Sequence, residues 1–156
     1  MRSAAGAAPG VGAIALVKDG AGRVLLVWQK RGPFAGSWLL PGGRVESTEG
    51  AIQAAARELH EETGLTATSG RLIVTYRTSS DPPGAYDLTV FLYGLVANGQ
   101  LRAEAGSAVR WFDPAALVDP HPTLRRALAD AHIRTDDDDA IAAALAAAGI
   151  RMERLG

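Results

Sequence analysis

The stretch from Thr48 to Thr63 constrains this chain more than any other. It has no proline and no glycine after Gly50, its interior is rich in Ala, Glu, Leu and Gln, and Gly64 stands where a left-handed residue closes a helix. A helix is predicted. At about 100° per residue, Glu58, Glu61 and Glu62 share an arc of about 100°, and Ile52, Ala55, Ala56, Leu59 and Thr63 cluster beside them on a face suited to a core. Like charges at i,i+3 and i,i+4 each cost a helix about 0.2 to 0.5 kcal/mol. Only Arg57 lies in the same turn to offset them. A divalent cation would offset them too, and hard oxygen ligands at this spacing suit Mg²⁺ or Mn²⁺. A solvated acidic face is the commoner fate of clustered glutamates. What favours a site is the preceding Pro41-Gly42-Gly43, a turn whose backbone can offer carbonyls to a metal and amides to a phosphate.

Around this helix the order of elements is mixed α and β. Val11 to Val17 and Arg23 to Trp28 read as strands of a buried hairpin joined by Asp19-Gly20-Ala21-Gly22. Gly32-Pro33-Phe34-Ala35-Gly36 breaks the pattern before Trp38-Leu39-Leu40. Arg71 to Arg77, Leu88 to Val96 and Val109 to Phe112 are further strand candidates, and Asn98-Gly99 marks a tight turn. Pro114 begins a helical turn, Thr123 caps a helix to about Ala131, and Asp136 to Asp139 lead into a helix over Ala140 to Ala148, closed by Gly149. No repeat and no linker divides the chain. The reading is one domain over 11–133, preceded by a flexible N-terminus at 1–10 and followed at 134–156 by a helical appendage to the same domain.

Charge and composition exclude several functions. With 16 Lys+Arg against 17 Asp+Glu, the 156-residue chain has no basic field for a polynucleotide backbone, so no nucleic-acid partner is expected. The absence of cysteine rules out disulfides, a cysteine zinc site and a cysteine nucleophile. No apolar run is long enough to span a membrane, and the alanine-rich start lacks the hydrophobic centre of a secretory signal, so a cytoplasmic protein is expected. Ile141, Leu145 and Ala148 share one helix face, which would cover the domain or meet a second copy in a homodimer.

Gly43, Glu49, Arg57-Glu58-Leu59, Glu61-Glu62 and Gly64-Leu65 reproduce the Nudix box, G-x5-E-x7-R-E-U-x-E-E-x-G-U with U aliphatic, without a departure. The chain therefore resembles the Nudix hydrolases. The flanking strands, the Trp38 to Gly43 lead-in and Arg110-Trp111-Phe112 extend the likeness over about Val11 to Leu128. The resemblance implies an α/β (α+β) fold, an α/β/α sandwich on a mixed β-sheet. It also implies hydrolysis of a nucleoside diphosphate linked to another moiety, with Mg²⁺ or Mn²⁺. By that resemblance Glu58, Glu61 and Glu62 hold the metal, one of them helps deprotonate the attacking water, and the carbonyl of Gly42 or Gly43 adds a ligand. Arg57 orients these carboxylates and pairs with Glu49. Relatives often recruit an acid from a loop before a Trp-containing strand. Glu104 matches that placement, with Asp87 the weaker candidate.

Lys30 and Arg31, at the end of a strand before the Gly/Pro loop, are candidates for phosphate, although isolated basic residues are more often surface charges. Trp28, Phe34, Trp38, Tyr76 and Tyr86 are candidates to stack on a base, with packing the commoner fate. His60 is expected to be exposed. His121 and His132 have no second ligand at metal spacing. For the substrate, the resemblance favours a nucleoside triphosphate, canonical, oxidised or otherwise noncanonical, split to monophosphate and pyrophosphate. ADP-ribose, for which Pro82 or Pro83 would be the marker, a dinucleoside polyphosphate, marked by Tyr86, and a nucleotide sugar are the alternatives. An isoprenoid diphosphate isomerase on this fold would need a cysteine. A non-catalytic nucleotide-sensing module would usually show a degraded box.

Overall fold

Alternation along the first strand sets the layers. In the computed structural model, which describes residues 10–156, β1 runs over Gly10–Leu16. The expected flexible N-terminus thus lies outside the described residues except for Gly10, which begins this strand. Ala13 and Ala15 of β1 pack with Ala54, Ala55 and Leu59 of helix α1 (Ala51–Thr63). Ile14 and Leu16 pack on the other side with Leu124, Ala127 and Leu128 of α2 (Pro122–Asp130). A period of two on the strand meets one helix on each face, which is the α/β/α sandwich.

The remaining strands are β2 (Val24–Trp28), β3 (Trp38–Leu39), β4 (Gly42–Arg44), β5 (Thr66–Ser80), β6 (Asp87–Asn98), β7 (Val109–Phe112) and β8 (Ile150–Leu155). They form a five-stranded sheet in the order β4-β1-β6-β5-β8 and a three-stranded sheet in the order β3-β2-β7. The larger sheet is mixed, since β1 runs parallel to β6 and every other neighbour is antiparallel.

Several expectations need correction. The turn between β1 and β2 forms as read, with the Asp19 carboxylate accepting from the amides of Ala21 and Arg23 at 2.9 Å and Gly22 at φ +79°. The strands it joins are no hairpin, however, because both edges of β1 are taken by β4 and β6, and only a Lys18–Val24 bridge links β1's extension to β2. Pro41-Gly42-Gly43 is not wholly a turn either. Gly42 and Gly43 lie in β4 opposite Ile14 and Ala13, and a Cβ on Gly42 would sit 2.4 Å from the Ala13 carbonyl, so only glycine lets the strands pair this closely. Finally, the C-terminal segment is more than a helical appendage. After α3 (Asp138–Ala147), which the Asp137 carboxylate caps through the Ala140 amide, β8 adds to the edge of the main sheet. Arg151, Glu153 and Arg154 interrupt its apolar positions, as charged residues commonly do on edge strands, and this hid the strand from the sequence.

The helix after the glycines starts later than read, at Ala51 behind Gly50, whose amide donates to Gln53 Oε1 at 2.7 Å. It ends as read, with Gly64 at φ +82° and its amide on the His60 carbonyl at 2.9 Å. Ala54, Ala55, Leu59 and Thr63 are buried, whereas Ile52, placed on the core face by periodicity, is 41% exposed and lies beside Gly70 of β5. His121, not Thr123, caps α2, and its ring accepts from the Thr123 amide at 3.2 Å. Among the described residues no helix is long and apolar enough to cross a membrane.

Candidate active site

The acids of α1 point at β4. Glu62 Oε1 accepts the Gly42 amide at 2.8 Å, and Gly43 lies so close to Glu58 that an added Cβ would stand 2.6 Å from its carboxylate. Arg57 gathers the rest. Its guanidinium makes a two-pronged pair with Glu49, Nε to Oε2 at 3.0 Å and Nη2 to Oε1 at 2.6 Å. The same group donates to Glu58 Oε1 at 2.8 Å, to the Arg44 carbonyl at 3.1 Å, and weakly to Glu61 at 3.3 Å. Glu49 also accepts the Glu46 amide at 3.0 Å. One arginine therefore ties the loop before α1, strand β4 and two acids of the helix into a single unit.

The electrostatics follow from this crowding. Burial, and then the charges of Glu58, Glu104 and Glu61, push the Glu62 carboxyl up to about 8, against the pull of the Gly42 amide. Glu58 is raised in the same way, mainly by burial, with Arg57 opposing. Carboxyls held out of their ordinary range by their own neighbours are what a bound cation would relieve, and the donor set is all hard oxygen. In this arrangement Glu58 is bonded to Arg57 and Glu62 to the Gly42 amide, and among the described residues no three acidic or histidine side chains stand in metal-holding geometry.

Glu104 sits on the exposed loop between β6 and β7, and its charge is felt at both Glu58 and Glu62. Asp87 is instead held by Arg77 in a two-pronged pair at 2.7 and 2.8 Å. Lys30, a candidate for phosphate, donates to the Ala105 carbonyl, so it anchors the loop that carries Glu104. Arg31 is exposed and, like Gly42 and Gly43, lines a cavity of about 320 Å³.

That cavity is the part of the site that local sequence reading missed. Its walls come from β1, the Gly/Pro loop, β6, α2 and β8, with Leu88, Val90, Leu124 and Met152 among the apolar groups. No local pattern marks Thr78 or Met152 as lining residues. Of the aromatic candidates, Phe34 and Tyr86 line the cavity and meet edge to face at 5.6 Å. Tyr76 is wholly buried and bonded to Asp130, and Trp28 and Trp38 pack on each other at 5.5 Å. His60 is exposed, as expected. Pro82 and Pro83 lie on the exposed β5–β6 connection and do not line the cavity.

A mixed-sheet sandwich with an acid helix beside a half-open cavity is an arrangement suited to hydrolysis of a bound ligand. Comparison with known proteins agrees. The NUDIX domain family model matches residues 8–133. A Bacillus subtilis protein, named as a candidate 8-oxo-dGTP diphosphatase, is 34% identical over 68% of this chain and 68% of its own length. An ADP-ribose pyrophosphatase of Methanocaldococcus jannaschii is 35% identical over 52% of this chain, which spans about half, 48%, of that relative. The crystal structure of a MutT NUDIX hydrolase from Burkholderia pseudomallei superposes with a TM-score of 0.67 at 30% identity, covering 80% of this chain and 98% of that one. The chain belongs to the Nudix hydrolase family, whose members generally use a divalent metal and act on small nucleotide substrates.

Proposed function

We propose that this chain is a Mg²⁺-dependent pyrophosphohydrolase of the cytoplasmic nucleotide pool. It splits a nucleoside triphosphate, canonical, oxidised or otherwise noncanonical, into a monophosphate and pyrophosphate. The observation that carries this reading is that Gly42 and Gly43, which line the cavity, also stand against Glu62 and Glu58. A base-sized group in the cavity puts its phosphates against the acid helix. The B. subtilis relative favours a triphosphate.

Glu58, Glu61, Glu62, Glu104 and the backbone of Gly42 or Gly43 would hold the metal. When bound, it spreads the phosphoryl charge and lowers the pKa of water, so the protein has mainly to position the parts. Arg57, fixed by Glu49, orients Glu58 and Glu61; a carboxylate of this cluster takes the proton of the attacking water; Arg31 meets a substrate phosphate at the cavity rim. Lys30 holds the Glu104 loop. ADP-ribose is the second reading, favoured by the M. jannaschii relative.

The test is product analysis by chromatography after incubation with Mg²⁺, or Mn²⁺, and a panel of nucleoside triphosphates, oxidised guanine nucleotides, ADP-ribose, dinucleoside polyphosphates and nucleotide sugars. Turnover of a triphosphate to pyrophosphate, lost in Glu62→Gln, is expected. Unchanged turnover in Glu62→Gln would remove the acid helix from the reaction. Nucleotide binding without turnover in the parent would make the chain a sensing module.

A further inference from the structure

The family match ends at residue 133, but the cavity does not. Met152 of β8 lines it, and β8 and α3 form their own apolar cluster of Ile141, Leu145 and Ile150, on which Met152 and Phe34 pack. Phe34 belongs to the Gly/Pro loop after β2, where Gly32, Pro33, Ala35 and Gly36 are all exposed. It is the half-buried residue of that run, so the loop's placement over the cavity depends on what Phe34 packs against. Its partners are the α3–β8 cluster, Tyr86 at 5.6 Å and the His121 ring at 4.6 Å.

We propose that the α3–β8 unit is a specificity-determining wall of the substrate site. It supplies Met152 and holds Phe34, so that a planar heteroaromatic base is gripped between the Met152 thioether and the Phe34–Tyr86 pair. This rests on the nucleotide reading above and deepens it. The chemistry of the wall matches such a group, since polarisable sulfur and aromatic faces favour flat π-systems. No acidic side chain lines the cavity among the described residues and its charged lining groups are Arg31 and Arg44, so the base is chosen by shape, stacking and hydrogen bonds without a carboxylate acceptor. Thr78 lines the cavity with a neutral hydroxyl side chain.

The experiment is calorimetric titration of the full chain, in EDTA, with AMP, GMP, CMP and 8-oxo-GMP as probes, alongside steady-state kinetics with the matching triphosphates. Met152→Trp fills the cavity and Met152→Ala enlarges it. Met152→Trp is expected to weaken mononucleotide binding about ten-fold or more and to raise KM with kcat held within about two-fold, the signature of lost uniform binding. Met152→Ala is expected to change the order of preference among the bases. If Met152→Trp does not fold, Phe34→Leu on the exposed loop carries the same expectation. Unchanged affinities and KM values in a folded variant, with turnover intact, would overturn the wall and leave the proposed function standing. A parent that binds no mononucleotide would overturn it as well, and the presence or absence of turnover in that sample would show whether the nucleotide reading falls too.

Discussion

Gly42 and Gly43 are adjacent, and the same substitution at each should fail in opposite ways. A Cβ on Gly42 would meet the Ala13 carbonyl at 2.4 Å and Ile14 Cα at 2.8 Å, both backbone atoms of β1. Neither can yield without separating β4 from β1. Gly42→Ala should therefore cost about 1–3 kcal/mol of stability, as overpacking does, partly offset by the roughly 0.4–1 kcal/mol that Gly→Ala gains through the unfolded chain. A Cβ on Gly43 would instead meet the Glu58 carboxylate at 2.6 Å, the far end of a flexible side chain. Retreat to an ordinary contact of 3.4 Å moves that carboxylate by about 0.8 Å, at little cost in folding. Misplacement of that size at a reacting centre costs on the order of 10²-fold in rate. Urea unfolding and steady-state kinetics on the two variants separate the effects: Gly42→Ala should shift the unfolding midpoint, and Gly43→Ala should keep the midpoint and lose kcat. A stable, fully active Gly43→Ala protein would refute the placement of Glu58 against β4.

Other consequences can be measured in the same assays. Arg57→Lys keeps the charge but loses the fork to Glu49, so kcat should fall about ten-fold or more. Adding Glu49→Gln should then cost little further, because paired residues couple by about 0.5–3 kcal/mol; fully additive losses would argue against one shared network. Lys30→Met frees the loop at Ala105; its loss of activity should not exceed that of Glu104→Gln and should largely vanish in a Glu104→Gln background. His121 is half-buried, with its ring nitrogen accepting the α2 cap bond and its pKa lowered by burial. The unfolded chain therefore takes up that proton first, so stability is lost as pH falls below the ordinary histidine value of 6.5. Urea midpoints at pH 7.5 and 5.5 should differ less in His121→Asn, and an identical difference in both proteins would assign the pH effect to other groups.

What the sequence determined alone is what neighbouring residues determine. Helix α1, its Gly64 terminus and the shared arc of Glu58, Glu61 and Glu62 follow from periodicity and capping within one short segment, where every deciding contact is at most a few residues away. The pairing of Arg57 with Glu49 was implied by the box and is met within the same turn-and-helix unit. Tertiary structure decided the rest. Separation of β1 and β2 into different sheets depends on which strands claim the edges of β1, a competition with β6 that no local turn residue records. Lys30 became a loop anchor because β2 and the β6–β7 loop meet across 75 residues of sequence. The cavity is assembled from segments between Gly12 and Met152, and although Leu88 and Val90 or Leu124 and Ala127 keep strand or helix spacing, only the fold brings these segments to one wall.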